Sequence, residues 1–146
     1  MKAFLQILVV LSTALLMTAC QSGPPPPPTV EAPMQKIVLD KWVQVRLCID
    51  GSNTIDGKLI NSRLCAQTQK YELFGGPVIK LAGQHGYVGS PSPQEAIKGF
   101  SATDDGITYT LKCEQLPKVS AEAGDSFHCA FDGNNLPLIR ADITYP

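Results

Sequence analysis

The sequence predicts a mainly β fold: a small antiparallel, sandwich-like domain with one or two short helices and two disulfides. Three observations lead there. Apolar and polar residues alternate in several runs rich in β-branched side chains, turn dipeptides such as Asp-Gly separate those runs, and four cysteines are spread through the same region. The β-rich part, residues 34–146, is about 113 residues long, which is one domain able to bury roughly two thirds of its surface on folding. No internal repeat or second composition break divides it.

Ahead of that domain, residues 1–19 read as a cleaved secretory signal. Lys2 supplies the positive start, and Ala3 to Met17 is apolar apart from Gln6, Ser12 and Thr13, a run too short to span a bilayer comfortably. Leu16-Met17-Thr18-Ala19-Cys20 resembles the lipobox of bacterial lipoproteins, in which small residues precede the cysteine that signal peptidase II leaves as the acylated N-terminus. Met17 stands where leucine is usual. The resemblance implies a palmitate-type anchor on Cys20, and cysteine arithmetic agrees with it. Five cysteines are an odd number for an exported chain, and giving Cys20 to lipid leaves four that can pair completely. Acyl chains contribute about 0.8 kcal/mol per buried methylene, so several on one residue hold a protein at a membrane without a spanning helix. Gln21, in place of the aspartate that retains lipoproteins at the inner membrane, implies a cell envelope address at the outer membrane, facing the periplasm or the outside.

Residues 20–33 are then a lipidated cysteine and a linker. Pro24 to Pro28 and Pro33 cannot form helix or sheet, because proline lacks an N–H and fixes φ. Polyproline II at about 3.1 Å per residue makes this a semi-rigid spacer.

Within the domain, Lys36 to Ile49 reads as one strand, since Val43, Val45, Leu47 and Ile49 alternate with Trp42, Gln44, Arg46 and Cys48. Asp50-Gly51 is expected to close it, and Asp56-Gly57 to make a second turn. Arg63 to Phe74 fits neither period and leaves a helix open there. Pro77 to Leu81 and Gly86 to Val88 suit a hairpin turning through Ala82-Gly83-Gln84-His85. A helix of one or two turns starts at Ser92, where Ser92-Pro93-Gln94-Glu95 has the capping-box pattern and Gly99 a stop. Ser90 to Asp105 is otherwise the one long loop candidate. The last strands are a three-stranded meander: Ile107, Tyr109, Leu111 and Cys113 share a face, as do Phe127, Cys129 and Phe131, and Asp132-Gly133-Asn134-Asn135 turns the chain into Leu136 to Tyr145.

Cys48, Cys65, Cys113 and Cys129 lie at gaps of 17, 48 and 16. Zinc sites show close pairs such as C-x-x-C, and none is present, so a disulfide framework is expected rather than a metal. Three connectivities are possible; Cys48 with Cys65 and Cys113 with Cys129 is preferred because the second pair lies on apolar faces of expected neighbours. Asp50, Ser52, Thr54 and Asp56 are spaced like calcium-loop ligands, yet Ile55 stands where glycine is needed and Asn61 where a bidentate glutamate is needed. Consecutive turns account for the same residues. Gly124-Asp125-Ser126 resembles the nucleophile block of the GDSL hydrolases, but no histidine follows His128 to serve as base. His85 and His128 are the only histidines, neither paired at a ligand spacing, and His128 is expected to face solvent. The expectation is therefore no catalytic set, no cofactor and no metal.

Of 12 basic residues one, Lys2, leaves with the signal; eleven remain against 13 acidic residues, a formal net charge of −2 with histidines neutral. Such a chain has no basic surplus for a phosphate backbone, which excludes nucleic acid as a partner.

Pro77 to Gly89, Asp105 to Cys113 and the glycine-led strand Gly124 to Phe131 are similar to the β-core of secretins, with its strand, Gly-Gln hairpin, second strand and "G-[IV]-T-[LY]" strand. Trp42 to Ile49 would match the preceding strand. About half the chain is covered, and the long membrane-crossing hairpins of a secretin are missing. The resemblance implies a secretion setting without a pore of its own. The leading expectation is a non-catalytic envelope module, protein-binding or structural, accessory to a secretion, pilus or conjugation system. The alternative is a membrane-tethered inhibitor of a hydrolase such as lysozyme or a protease, using Ser90 to Asp105 as its loop. The anchor has a direct test: Cys20→Ser should abolish acylation and move the protein from the membrane to the soluble fraction, and an unmodified Cys20 in the wild-type mass spectrum would refute it.

Overall fold

A computed structural model describes residues 30–40, 46–68 and 76–146. The signal segment, Cys20, the proline run, Trp42 to Val45 and Tyr71 to Phe74 lie outside the described residues. Nine strands and one helix follow in the order β1 (Met34–Val38), β2 (Arg46–Ile55), β3 (Lys58–Gln67), β4 (Val78–Gly83), β5 (Gly86–Gly89), α1 (Pro93–Lys98), β6 (Phe100–Asp104), β7 (Ile107–Gln115), β8 (Ser126–Gly133) and β9 (Leu136–Thr144). They form two sheets, β1-β9-β8-β7-β6 and β2-β3-β4-β5. Every pairing is antiparallel except β1 with β9.

The inner faces follow from period-2 alternation. Leu64 and Ala66 of β3, Ile79 and Leu81 of β4, Tyr109 and Leu111 of β7, Phe127 and Phe131 of β8, and Ile139 and Ile143 of β9 are all buried. They form one contiguous core. Tyr109 stacks on Phe131 with ring centroids 5.8 Å apart, and Phe127 meets Tyr145 edge to face at 6.0 Å. Polar atoms lock the sheets together at both ends. The Tyr145 hydroxyl donates to the Val78 carbonyl at 3.1 Å, the Gln84 N–H donates to the Tyr109 hydroxyl at 3.2 Å, and the Asn53 amide donates to the Pro137 carbonyl at 2.8 Å. Burial raises the Tyr145 hydroxyl far above its ordinary pKa, so it remains a donor. At Gly51 and Gly83 the sheets come too close for a side chain: a Cβ on Gly51 would strike the Leu138 carbonyl, and one on Gly83 the Tyr109 ring.

The helix is where its cap placed it. Ser92 accepts from the Glu95 N–H, Glu95 accepts from the Ser92 N–H, Pro93 opens the first turn, and Gly99 closes the helix with φ 100°. The Ser92 bonds hold the Glu95 carboxyl below its ordinary pKa. The meander β7-β8-β9 and the hairpin of β4 and β5 also form, the hairpin turning through Gln84-His85 alone because Ala82 and Gly83 are still paired in β4.

Five expectations need correction. Lys36 to Ile49 is not one strand: β1 ends at Val38 in one sheet and β2 begins at Arg46 in the other. Alternation continues across a change of sheet, so the pattern cannot reveal it. Asp50-Gly51 is not a turn but mid-strand in β2, where Gly51 packs on the Leu138 backbone and Asp50 pairs with Arg63. Arg63 to Gln67 is strand β3 and not helix. Ser90 to Asp105 is not a long loop, because α1 and β6 occupy it. The turn before β9 is Asn134-Asn135 alone, Asp132-Gly133 being still in β8.

The disulfides are Cys48–Cys65 and Cys113–Cys129. Each joins residues directly opposite on neighbouring antiparallel strands, β2 with β3 and β7 with β8. The Cα atoms are 4.0 and 4.1 Å apart, the narrow spacing of a non-hydrogen-bonded cross-strand pair. Their surroundings differ. Cys113 and Cys129 are 1% and 0% exposed on the inner face. Cys48 is exposed on the outer face of the other sheet. Loops of this length give each bond about 3 kcal/mol in the chain-entropy model, and the buried pair adds core packing. Cys113→Ala with Cys129→Ala should therefore cost more stability in urea unfolding than Cys48→Ala with Cys65→Ala; equal losses would show that the buried pair contributes no packing.

Candidate functional site

Successive strands alternate in direction, so the connections sort to opposite ends. The tight turns β2–β3, β4–β5, β6–β7 and β8–β9 gather at one end; α1 and the Leu116–Asp125 connection are at the other. Three of the turns are built from residues with positive φ at both central positions: Asp56-Gly57 (49°, 77°), Asp105-Gly106 (46°, 76°) and Asn134-Asn135 (47°, 64°). That is type I′ geometry, whose twist matches the flanking strands and which favours Asn, Asp and Gly. Asn134 ties its turn to β7, its N–H donating to the Thr108 carbonyl at 2.9 Å and its side-chain oxygen accepting from the Thr108 N–H at 2.8 Å.

The β2–β3, β4–β5 and β6–β7 tips enclose a cleft of about 290 Å³. Ile55, Ile60 and Ile107 make an apolar floor, and Asp56, Lys58, His85 and Asp105 a charged rim. Leu59 stands at the edge with 61% of its surface exposed. His85 Nδ1 lies 3.7 Å from Asp105 Oδ2 and 3.8 Å from Asp104 Oδ2. These contacts are longer than hydrogen bonds and exposed, so they leave the rim unlocked. The volume sits at the low end for small-molecule pockets. It suits one or two side chains of a partner.

The other sequence candidates are placed as follows. Asp50, Ser52 and Thr54 point outward along one extended strand, where alternate side chains are nearly 7 Å apart and cannot converge on one ion. No group of three or more metal-ligating side chains gathers among the described residues. Asp50 is held instead by the Arg63 guanidinium at 2.6 and 3.0 Å, whose hydrogen bonds lower its pKa. Ser126 Oγ lies 2.9 Å from Thr144 Oγ1, and His128 Nδ1 lies 2.8 Å from Asp142 Oδ1. His128 is half-buried on the outer face, and the fold supplies a carboxylate that sequence spacing did not. The two contacts are successive rungs of a β8–β9 cross-strand ladder. Sequence reasoning missed the cleft, since Leu59, His85 and Asp105 come from three separate hairpins. The available signal was the turn dipeptides, which up-and-down strand order brings to one end.

No helix among the described residues is long and apolar enough to cross a membrane. No family model, curated protein or solved structure matches the chain significantly.

The Asp50–Arg63 pair makes a pH prediction. A carboxyl with a depressed folded-state pKa adds stability above its ordinary pKa, near 4, and loses it as pH falls through the depressed value. Asp50→Asn should be less stable than wild type at neutral pH, by a small margin for so exposed a pair, and the two urea midpoints should converge toward pH 2. A gap that persists unchanged at that pH would assign the loss to something other than the carboxylate.

Proposed function

We propose that the protein is a lipid-anchored envelope lipoprotein whose β-domain binds another protein, receiving that partner's side chains in the cleft at the turn end. The observation that carries this is the convergence of three hairpin tips, two of them type I′, around an apolar floor with a charged rim. Such a recess needs no rearrangement to receive a partner, which lowers the entropic cost of binding.

The path of the chain supports a partner in or near the membrane. Val30 to Pro33 lie beside Asp50 to Asn53 and Pro137 to Leu138, and β1 runs parallel to β9, which starts at the Asn134-Asn135 turn. The described end of the linker, Val30 to Pro33, therefore meets the domain at the turn end, the end that carries the cleft. A component of a secretion, pilus or conjugation system fits that position.

A second reading, the tethered hydrolase inhibitor, draws on the opposite end. There Val119 is 96% exposed in the connection between β7 and β8. The Lys118–Asp125 ion pair at 3.1 Å and the Cys113–Cys129 bond brace that segment.

The two readings separate by site-specific photocrosslinking in intact envelopes. A photoreactive residue at Leu59 should yield a protein adduct that Asp105→Arg weakens, while one at Val119 should not. Adducts from Val119 alone, unaffected by Asp105→Arg, would overturn the cleft reading in favour of the second.

A further inference from the structure

The two disulfides of this chain differ in what can reach them. Cys113 and Cys129 are sealed between the sheets, whereas Cys48 is exposed on the outer face of β2 and its partner Cys65 is only 8% exposed. The outer face around the second bond is cationic. Arg46 precedes Cys48 by two residues on the same face, Arg63 precedes Cys65 likewise, and Lys80 of β4 stands directly across from Cys65. Arg63 is neutralised by Asp50 at 2.6 Å, and Arg46 binds the neutral Gln67 at 3.2 Å. Among the described residues, Arg46 and Lys80 therefore leave two positive charges beside the bond.

We infer that Cys48–Cys65 is a thiol–disulfide exchange site, with Cys48 Sγ the atom attacked and a dithiol reductant the partner. The attacking species is a thiolate, which a positive neighbourhood attracts, and the same cations stabilise the thiolate that leaves. The reductant's thiolate forms a bond to Cys48 Sγ. The electron pair of the broken S–S bond departs on Cys65 Sγ, which takes a proton from water. The reductant's second thiol then attacks the mixed disulfide, releasing Cys48 as a thiolate and closing the reductant's own disulfide, so that two electrons pass from reductant to chain. The hairpin survives the step, because β2 and β3 stay paired along ten residues.

The test uses the full-length folded chain at neutral pH and low salt. It is treated in parallel with anionic 2-mercaptoethanesulfonate, cationic cysteamine and the neutral dithiol dithiothreitol, quenched with acid, alkylated and mapped. The monothiols should leave their adduct on Cys48 with a free thiol on Cys65. Dithiothreitol should carry the pair to two free thiols. Cys113 and Cys129 should remain unlabelled throughout. Per thiolate, the anionic reagent should outpace the cationic one by about fivefold at low salt, a difference that 1 M salt removes. Arg46→Glu with Lys80→Glu should reverse the order. An adduct on Cys65, labelling of all four cysteines at one rate, or rates indifferent to reagent charge would overturn the assignment.

Discussion

The distance between the two sheets is set where one sheet offers a glycine to the other. Gly51 lies against the Leu138 carbonyl, Gly83 beneath the Tyr109 ring, Gly89 beneath the Phe100 ring and Gly133 against Ile55. A methyl group at the first three would meet backbone or ring, and overpacking of this kind costs about 1–3 kcal/mol. Because the sheets approach this closely, the Tyr145 and Tyr109 hydroxyls can span the gap to Val78 and Gln84. Those bonds hold strands from opposite sheets in register at both ends of the sandwich. The stacked Tyr109 and Phe131 rings fill the space that remains.

That separation also shapes the cleft. With β2–β3 and β4–β5 on one layer and β6–β7 on the other, the hairpin tips face each other across the thickness of the sandwich. The β2–β3 and β6–β7 tips are stiff because a two-residue type I′ turn leaves no slack, while the β4–β5 tip turns through Gln84-His85 with Gly86 at φ 119°. The floor is the outermost layer of the core itself, Ile55, Ile60 and Ile107. The cleft is thus a feature of two sheets ending together.

The outer faces obey a different rule. They are laid out in cross-strand pairs, Arg46 with Gln67, Cys48 with Cys65 and Asp50 with Arg63 on the smaller sheet. On the larger sheet Lys36, Asp142, His128 and Glu114 stand in one row across four strands, and Arg140 binds Asp132 at 2.6 Å. Ion pairs as exposed as Asp50–Arg63 are individually weak in water. Their value lies in register, since a slip of one residue would break every pair and turn the apolar residues outward.

The sequence by itself determined the β class, the capped helix at Ser92, the Asp56-Gly57 turn and the C-terminal meander, and it favoured the two disulfides that form, Cys48–Cys65 and Cys113–Cys129. All of these rest on local chemistry, either period-2 alternation or turn and cap residues whose geometry is settled within a few positions. Tertiary structure alone decided that Lys36 to Ile49 divides between two sheets, because alternation reads the same whichever sheet a strand joins. It also decided that Asp50-Gly51 runs straight through β2: a glycine serves a turn and a close sheet contact equally well, and only the presence of the Leu138 backbone distinguishes them. His128 acquired Asp142, and Leu59 acquired His85 and Asp105 as neighbours in the cleft, by the same means. Those partners are separated along the chain by far more than any helix or strand period, so their meeting depends on how the two sheets close over a common core.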